Sequence, residues 1–117
     1  SAREILEARQ RAEADFAKGL IDVLDQFDLA ISHSDKADAQ TLLNGIKMTY
    51  DVFKKVLAGK GIESYDPTGQ PFDPHQHEAI MQDAGGSAAP NTVTQTFQVG
   101  WRSGDIILRP AKVKVSK

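Results

Sequence analysis

Gly100-Trp101-Arg102-Ser103-Gly104-Asp105-Ile106-Ile107-Leu108-Arg109-Pro110-Ala111-Lys112-Val113-Lys114-Val115 reads as strand, tight turn, strand, break and strand. The turn falls at Ser103-Gly104-Asp105, where glycine supplies the positive φ that a hairpin connection needs. Pro110 marks the break. Lys112 and Lys114 then alternate with Val113 and Val115, the period-two pattern of a half-buried strand. Nothing in the stretch pairs a nucleophile with a base or gathers metal ligands. It predicts a small, rigid, basic β platform against which something docks, with the upstream helices as its mount.

A chain of 117 residues makes one domain, or two small pieces sharing a core. At 40% hydrophobic and 26% charged the composition is that of an ordinary globular chain. No run of 18 apolar residues occurs, so no transmembrane helix is expected. Ser1-Ala2-Arg3-Glu4 lacks the apolar stretch of a secretory signal, and a transit peptide, had there been one, is expected to be already removed. There is no cysteine, which excludes disulfides and thiolate chemistry and fits a reducing compartment. Net charge is −2, unevenly spread: residues 100–117 hold five basic groups and one acid, +4, which leaves −6 for the rest. A basic end on an acidic stem is a hint of interaction.

From Ala2 to about Ile31 the pattern is helical, with Phe16, Leu20, Val23/Leu24, Phe27 and Ile31 at steps of three and four. Before Phe16 the stripe is poor: Ile5 and Leu6 give way to Arg9, Ala12 and Glu13. A thin seam against a second copy would stabilise such a segment; fraying is the alternative. Gly19 costs roughly 1 kcal/mol relative to Ala, and the helix is expected to run through it. Ser32 to Asp38 forms a loop rich in capping residues. A second helix, about Asp38 to Ala58, carries Leu42/Leu43, Ile46, Tyr50, Phe53 and Val56/Leu57 on one face and Met48 and Val52 on another. Gly59 and Gly61 end it. Two helices on a short loop bury little alone, so pairing of two chains into a four-helix bundle is the economical solution. Folding of both helices onto the chain's own β part is the simpler one.

After Gly61 the texture shifts to short apolar runs among Gly, Pro, Asn and Asp. Ile62–Tyr65 and Glu78–Gln82 read as strands, Asp66–Pro74 as a loop stiffened by three prolines, and Thr92–Trp101 as the clearest single strand. In that strand Val93, Phe97, Val99 and Trp101 define an apolar face. The expected class is therefore α+β: N-terminal helices over residues 1–60, pairing into a dimeric four-helix bundle, then a small all-β wing over 61–117.

Chemistry-bearing patterns are sparse. His75 and His77 flank Gln76, with Asp73 or Glu78 able to add an oxygen, and the runner-up function is a small metal-dependent hydrolase using that pair. A zinc site needs three or four converging ligands, however, and His33 lies in a distant loop. Histidines donating to carbonyls in a tight loop are the structural reading. Gly45-Ile46-Lys47-Met48-Thr49 lacks the spacing of a phosphate loop, and Gly45 within a helix marks a close approach of another backbone. Asp22, Asp25 and Asp28 lie opposite the apolar stripe, on a solvated face. Nucleic-acid binding is disfavoured because the chain is acidic overall and Phe97 and Trp101 belong to the face expected to be buried.

Two segments are more specific than any of these: Pro71-Phe72-Asp73-Pro74-His75-Gln76-His77-Glu78-Ala79-Ile80, and Gly100-Trp101 through Asp105 to Leu108-Arg109-Pro110-Ala111-Lys112-Val113-Lys114-Val115. In this order and spacing they resemble the GrpE family, nucleotide exchange factors of DnaK-type chaperones. The likeness extends upstream through Gly45–Thr49 and Phe16–Leu29, covering nearly the whole chain. It implies a homodimer with a long paired helix, a four-helix bundle and one β wing per subunit. It also implies a truncated stalk. The wing docks on the chaperone's ATPase domain and promotes ADP release, without enzymatic turnover or a cofactor. Carried over by position, the partner-binding residues are Phe97, Val99, Gly104, Asp105, Ile106 and Arg109, with Gly45 near a second contact. The dimerisation residues are Phe16, Leu20, Leu24, Phe27, Ile46, Tyr50 and Phe53. Trp101 stands where the family has Tyr or Phe, and Ile106 where it has an arginine; Arg102, across the hairpin, is the candidate substitute. A structural dimer whose wing binds another protein is the remaining alternative. Asp51-Val52-Phe53 and Arg109-Pro110-Ala111-Lys112 lean towards mitochondrial rather than bacterial members, giving the mitochondrial matrix or the bacterial cytoplasm as location.

Overall fold

The computed structural model describes all residues, Ser1–Lys117. Two helices precede six short strands: α1 (Ala2–Ser32), α2 (Ala39–Gly59), β1 (Ile62–Tyr65), β2 (His77–Asp83), β3 (Val93–Gln98), β4 (Gly100–Ser103), β5 (Ile106–Arg109) and β6 (Ala111–Ser116). The class is α+β. The chain divides into two compact units, Ser1–Lys60 and Gly61–Lys117.

In the helical unit, α1 begins with a capping box: the Ser1 hydroxyl accepts from the Glu4 amide at 3.2 Å while the Glu4 carboxylate reaches back to the Ser1 nitrogen. Asp38 caps α2, its carboxylate accepting from the Thr41 amide at 2.8 Å. The two helices pack as a hairpin around Val23 and Thr49, the only side chains of the unit that are fully buried. Thr49 spends its hydroxyl on the Gly45 carbonyl at 3.0 Å, so it enters the seam without an unpaired polar atom. The closest approach is at Gly19, where an added Cβ would lie 2.6 Å from Val56 Cγ1. Glycine there admits α2 and offsets its poor helix propensity. Gly45, expected to meet a backbone, instead faces the Ala30 methyl at an ordinary distance, 3.7 Å for an added Cβ. Lys60 pairs with Asp15, which holds the Asp15 carboxyl below the usual carboxylate range.

In the β unit the strands form two three-stranded sheets, ordered β1-β4-β5 and β2-β6-β3. The first is antiparallel; in the second, β6 runs parallel to β2 and antiparallel to β3. The single strand expected from Thr92 to Trp101 is two strands in different sheets. Val99 is the step between them, and the register shift at Phe97 has already twisted β3 away from its ladder. Pro110, lacking an N–H, makes the return step from β5 to β6. The basic platform is accordingly split: Arg102 and Arg109 lie in one sheet, Lys112 and Lys114 in the other. Val93, Ala111 and Val113 form the core, with Tyr65 and Phe72 packed against it.

Candidate functional site

The Phe72–Ile80 segment is a structural device. Asp73 precedes a proline and so stays extended, and its side chain then organises the turn. Its carboxylate accepts from the His75 amide at 2.9 Å and from the Gln76 side-chain amide at 3.1 Å. These bonds, the backbone amide's first, keep the Asp73 carboxyl below its ordinary range. His77 is buried between Tyr65 and Phe72, with ring centroids 6.5 and 5.8 Å away. Its Nδ1 accepts from the Asp73 amide at 2.9 Å. The histidine is therefore an acceptor in its loop, not the donor expected from sequence. Burial lowers its pKa, keeping the ring in the neutral form that can accept. His75 is exposed, whereas His77 is buried, and no group of three His, Asp or Glu side chains converges anywhere in the chain. The geometry does not assemble a metal centre at His75 and His77.

The second segment joins the sheets. The Gln76 carbonyl accepts from Tyr65 Oη at 2.7 Å and from the Ala111 amide at 3.0 Å, locking the Pro110 step to the histidine turn. Burial, the largest influence on it, raises the Tyr65 pKa, so the phenol remains a donor. Tyr65 lies opposite Gly100 in the β1–β4 register, and a Cβ at Gly100 would land on its ring. Glycine before the aromatic Trp101 is thus required for steric reasons. Neither Tyr65 nor its dependence on Gly100 was singled out by sequence reading; the signal available was a lone tyrosine ending a four-residue strand. Arg109 donates from Nε to the Val99 carbonyl at 3.2 Å, tying one inter-sheet step to the strand beside the other.

The structure places the sequence-derived docking residues as follows. Phe97 is exposed (42%), contrary to the buried face assigned to it, because the β3 bulge turns it off the core side. Val99 is half-buried at the step. Gly104 takes φ +56 in the β4–β5 turn, and Asp105 beside it is exposed. Ile106 is the most exposed large apolar side chain of the β unit, at 67%. Arg102 is half-buried and stacks over the Tyr65 ring, 5.5 Å from its centroid. Arg102 and Arg109 therefore differ: Arg102 is held by stacking on a ring, whereas Arg109 donates to a backbone carbonyl. Gly45 lies in the helical unit, in the floor of an apolar groove between α1 and α2 lined also by Leu29, Ala30, Met48 and Thr49. Of the residues assigned to dimerisation, Phe16 is half-buried, while Leu20, Leu24, Phe27, Ile46, Tyr50 and Phe53 all stay exposed within one chain.

Comparison with known proteins supplies what geometry alone does not. The GrpE family model matches residues 1–117. "Protein GrpE" of Geobacillus thermodenitrificans is 40% identical over 118 residues, covering 99% of this chain and 54% of that protein. The mitochondrial GrpE homologue of Debaryomyces hansenii is 41% identical over 116 residues, covering 94% of this chain and 48% of the relative. That of Saccharomyces cerevisiae is 37% identical over 121 residues, 98% and 53%. The chain spans about half the length of the curated relatives it matches. Matched end to end by the family model, and by bacterial and mitochondrial relatives alike, the chain belongs to the GrpE family.

Proposed function

We propose that this chain acts as a nucleotide exchange factor: its β unit docks on the ATPase domain of a DnaK-type chaperone and speeds release of ADP. The observation that carries this is the end-to-end family match, residues 1–117. Bacterial and mitochondrial relatives match at the same level, 40% and 41%, which supports a function common to both settings rather than one special to either. The docking face comprises Phe97, Val99, Gly104, Asp105, Ile106 and Arg109, with Gly45 marking a second contact. It is a binding surface, and no covalent step is involved. A β unit that binds the open nucleotide cleft better than the closed one lowers ADP affinity by the same factor by which ADP lowers its own affinity.

The helical unit serves this by pairing with a second copy into a four-helix bundle. Support comes from the apolar side chains that α1 and α2 leave in solvent: Leu24, Phe27, Leu42, Leu43, Ile46 and Tyr50 among others. A surface of that kind is far more apolar than an isolated helix hairpin sustains in water.

The test is release of a fluorescent ADP analogue from a DnaK-type ATPase domain, followed in stopped flow with and without the protein. Acceleration is expected, and Phe97→Ala should slow it by about tenfold, the loss of one apolar anchor. No acceleration with the chaperone of the same organism would sink the proposal; an unimpaired Phe97→Ala protein would remove Phe97 from the face.

A further inference from the structure

We propose that Arg102 is the charged anchor of the docking face, taking a carboxylate side chain of the partner protein in the notch beside the β4–β5 turn. This rests on the docking function proposed above. The notch, about 210 Å³, is lined by His75, Gln76, Arg102, Gly104, Asp105 and Ile107. It is polar, and the arginine in it is already oriented: Arg102 and Ile107 are cross-strand partners, so both rise from the same face of the β1-β4-β5 sheet. The guanidinium stacks on Tyr65, whose own hydroxyl is fixed to the Gln76 carbonyl at 2.7 Å. A planar cation held by stacking keeps its N–H edge free, and that edge is the fork that grips a carboxylate with two parallel bonds.

The other cations of the β unit lack this combination. Arg109 commits its Nε to the Val99 carbonyl. Lys112 and Lys114 belong to β6, in the other sheet. None of the N–H groups of Arg102 meets a protein acceptor, and the β unit contains no ion pair. Two acids could have claimed it: Glu63, its register partner on β1, and Asp105 in the lining. Neither comes within ion-pair distance, and the guanidinium lies over the ring instead. A half-buried, stacked and unpaired arginine is one whose remaining desolvation is offset only when an anion arrives. Ile106, two-thirds exposed on the adjoining strand, then supplies apolar contact at the rim.

The experiment measures affinity for the nucleotide-free ATPase domain, and the ADP release rate, for the unaltered protein, Arg102→Gln and Arg102→Lys, at low salt and at about 0.5 M salt. Arg102→Gln should bind roughly tenfold or more weakly and lose part of the salt dependence. Arg102→Lys should fall between, because it keeps the charge and loses the fork. Trp101 fluorescence checks that the β unit stays folded; if the glutamine variant unfolds, the lysine variant carries the test by itself. An unaltered protein that neither binds nor accelerates release overturns the docking function. An unaltered protein that does both, with the variants matching it at both salt concentrations, overturns the arginine assignment alone.

Discussion

The two units are of nearly equal length and reach opposite solutions. Residues 61–117 close on themselves: Val93, Ala111 and Val113 are fully buried, and Tyr65, Phe72 and His77 seal them with every buried polar atom partnered. Residues 1–60 bury Val23 and Thr49 and leave fourteen large apolar side chains exposed, against five in the β unit. The difference is one of geometry rather than hydrophobicity. Strands of four to seven residues can wrap a core around three small side chains when a proline, a glycine and a histidine turn them sharply. Two straight helices meet along one line only and leave their other faces bare. One unit covers most of its apolar side chains, and the other leaves most of them in solvent.

That contrast can be broken most severely at Gly100. Gly100→Ala drives a methyl into the Tyr65 ring and should cost about 3 kcal/mol of β-unit stability, read from denaturant unfolding followed at Trp101, the one tryptophan. An unchanged midpoint would mean that β1 and β4 are not packed as described. Gly19→Ala is the helical counterpart. Its methyl meets Val56, a stiff β-branched residue, and the roughly 1 kcal/mol gained in helix propensity offsets only part of the clash. Circular dichroism should report a net loss of about 1 kcal/mol.

A smaller effect is expected in the β core. The His77 pKa in the fold lies below its ordinary 6.5, so at higher pH both folded and unfolded states are neutral and its contribution is complete. As pH falls below 6.5 the unfolded chain takes the proton first, and stability is lost progressively down to the folded pKa. Trp101-detected unfolding between about pH 8 and about pH 5 should show this decline, and His77→Gln should flatten it. A decline that persists in the variant would place the titrating group elsewhere. Least of all should Gly45→Ala disturb the chain by itself. Its methyl finds the Ala30 methyl at 3.7 Å, and helicity should hold or rise by up to about 1 kcal/mol. Slowed ADP release in that variant, with intact helices, would mark Gly45 as a contact rather than a packing position.

Much of this was legible in the sequence because it depends on local rules. The helix periods, the loop of capping residues that ends at Asp38, the positive-φ turn at Gly104 and the break at Pro110 are each decided within a few residues, and the observed elements follow them closely. What escaped was non-local. An alternating run from Val93 to Trp101 has the same period whether it lies in one sheet or steps between two, and only the partner strands decide the break at Val99. His77 carries no mark of donor or acceptor until the Asp73 amide is placed beside it. Gly19 and Gly45 look alike in a helix, and the close approach belongs to the one opposite Val56. For the proposed docking residues, the sequence marked the turn and the arginine at 102, while the stacking on Tyr65 that orients it requires β1 and β4 to be side by side.

Whether a second copy covers the bare faces of α1 and α2 can be measured. Sedimentation equilibrium of this chain, at concentrations from about 1 to about 100 µM, measures it directly. Pairing of two chains gives a species of twice the 12.8 kDa chain mass, dissociating on dilution together with loss of helicity. A 12.8 kDa species that keeps its full helicity across that range would contradict it.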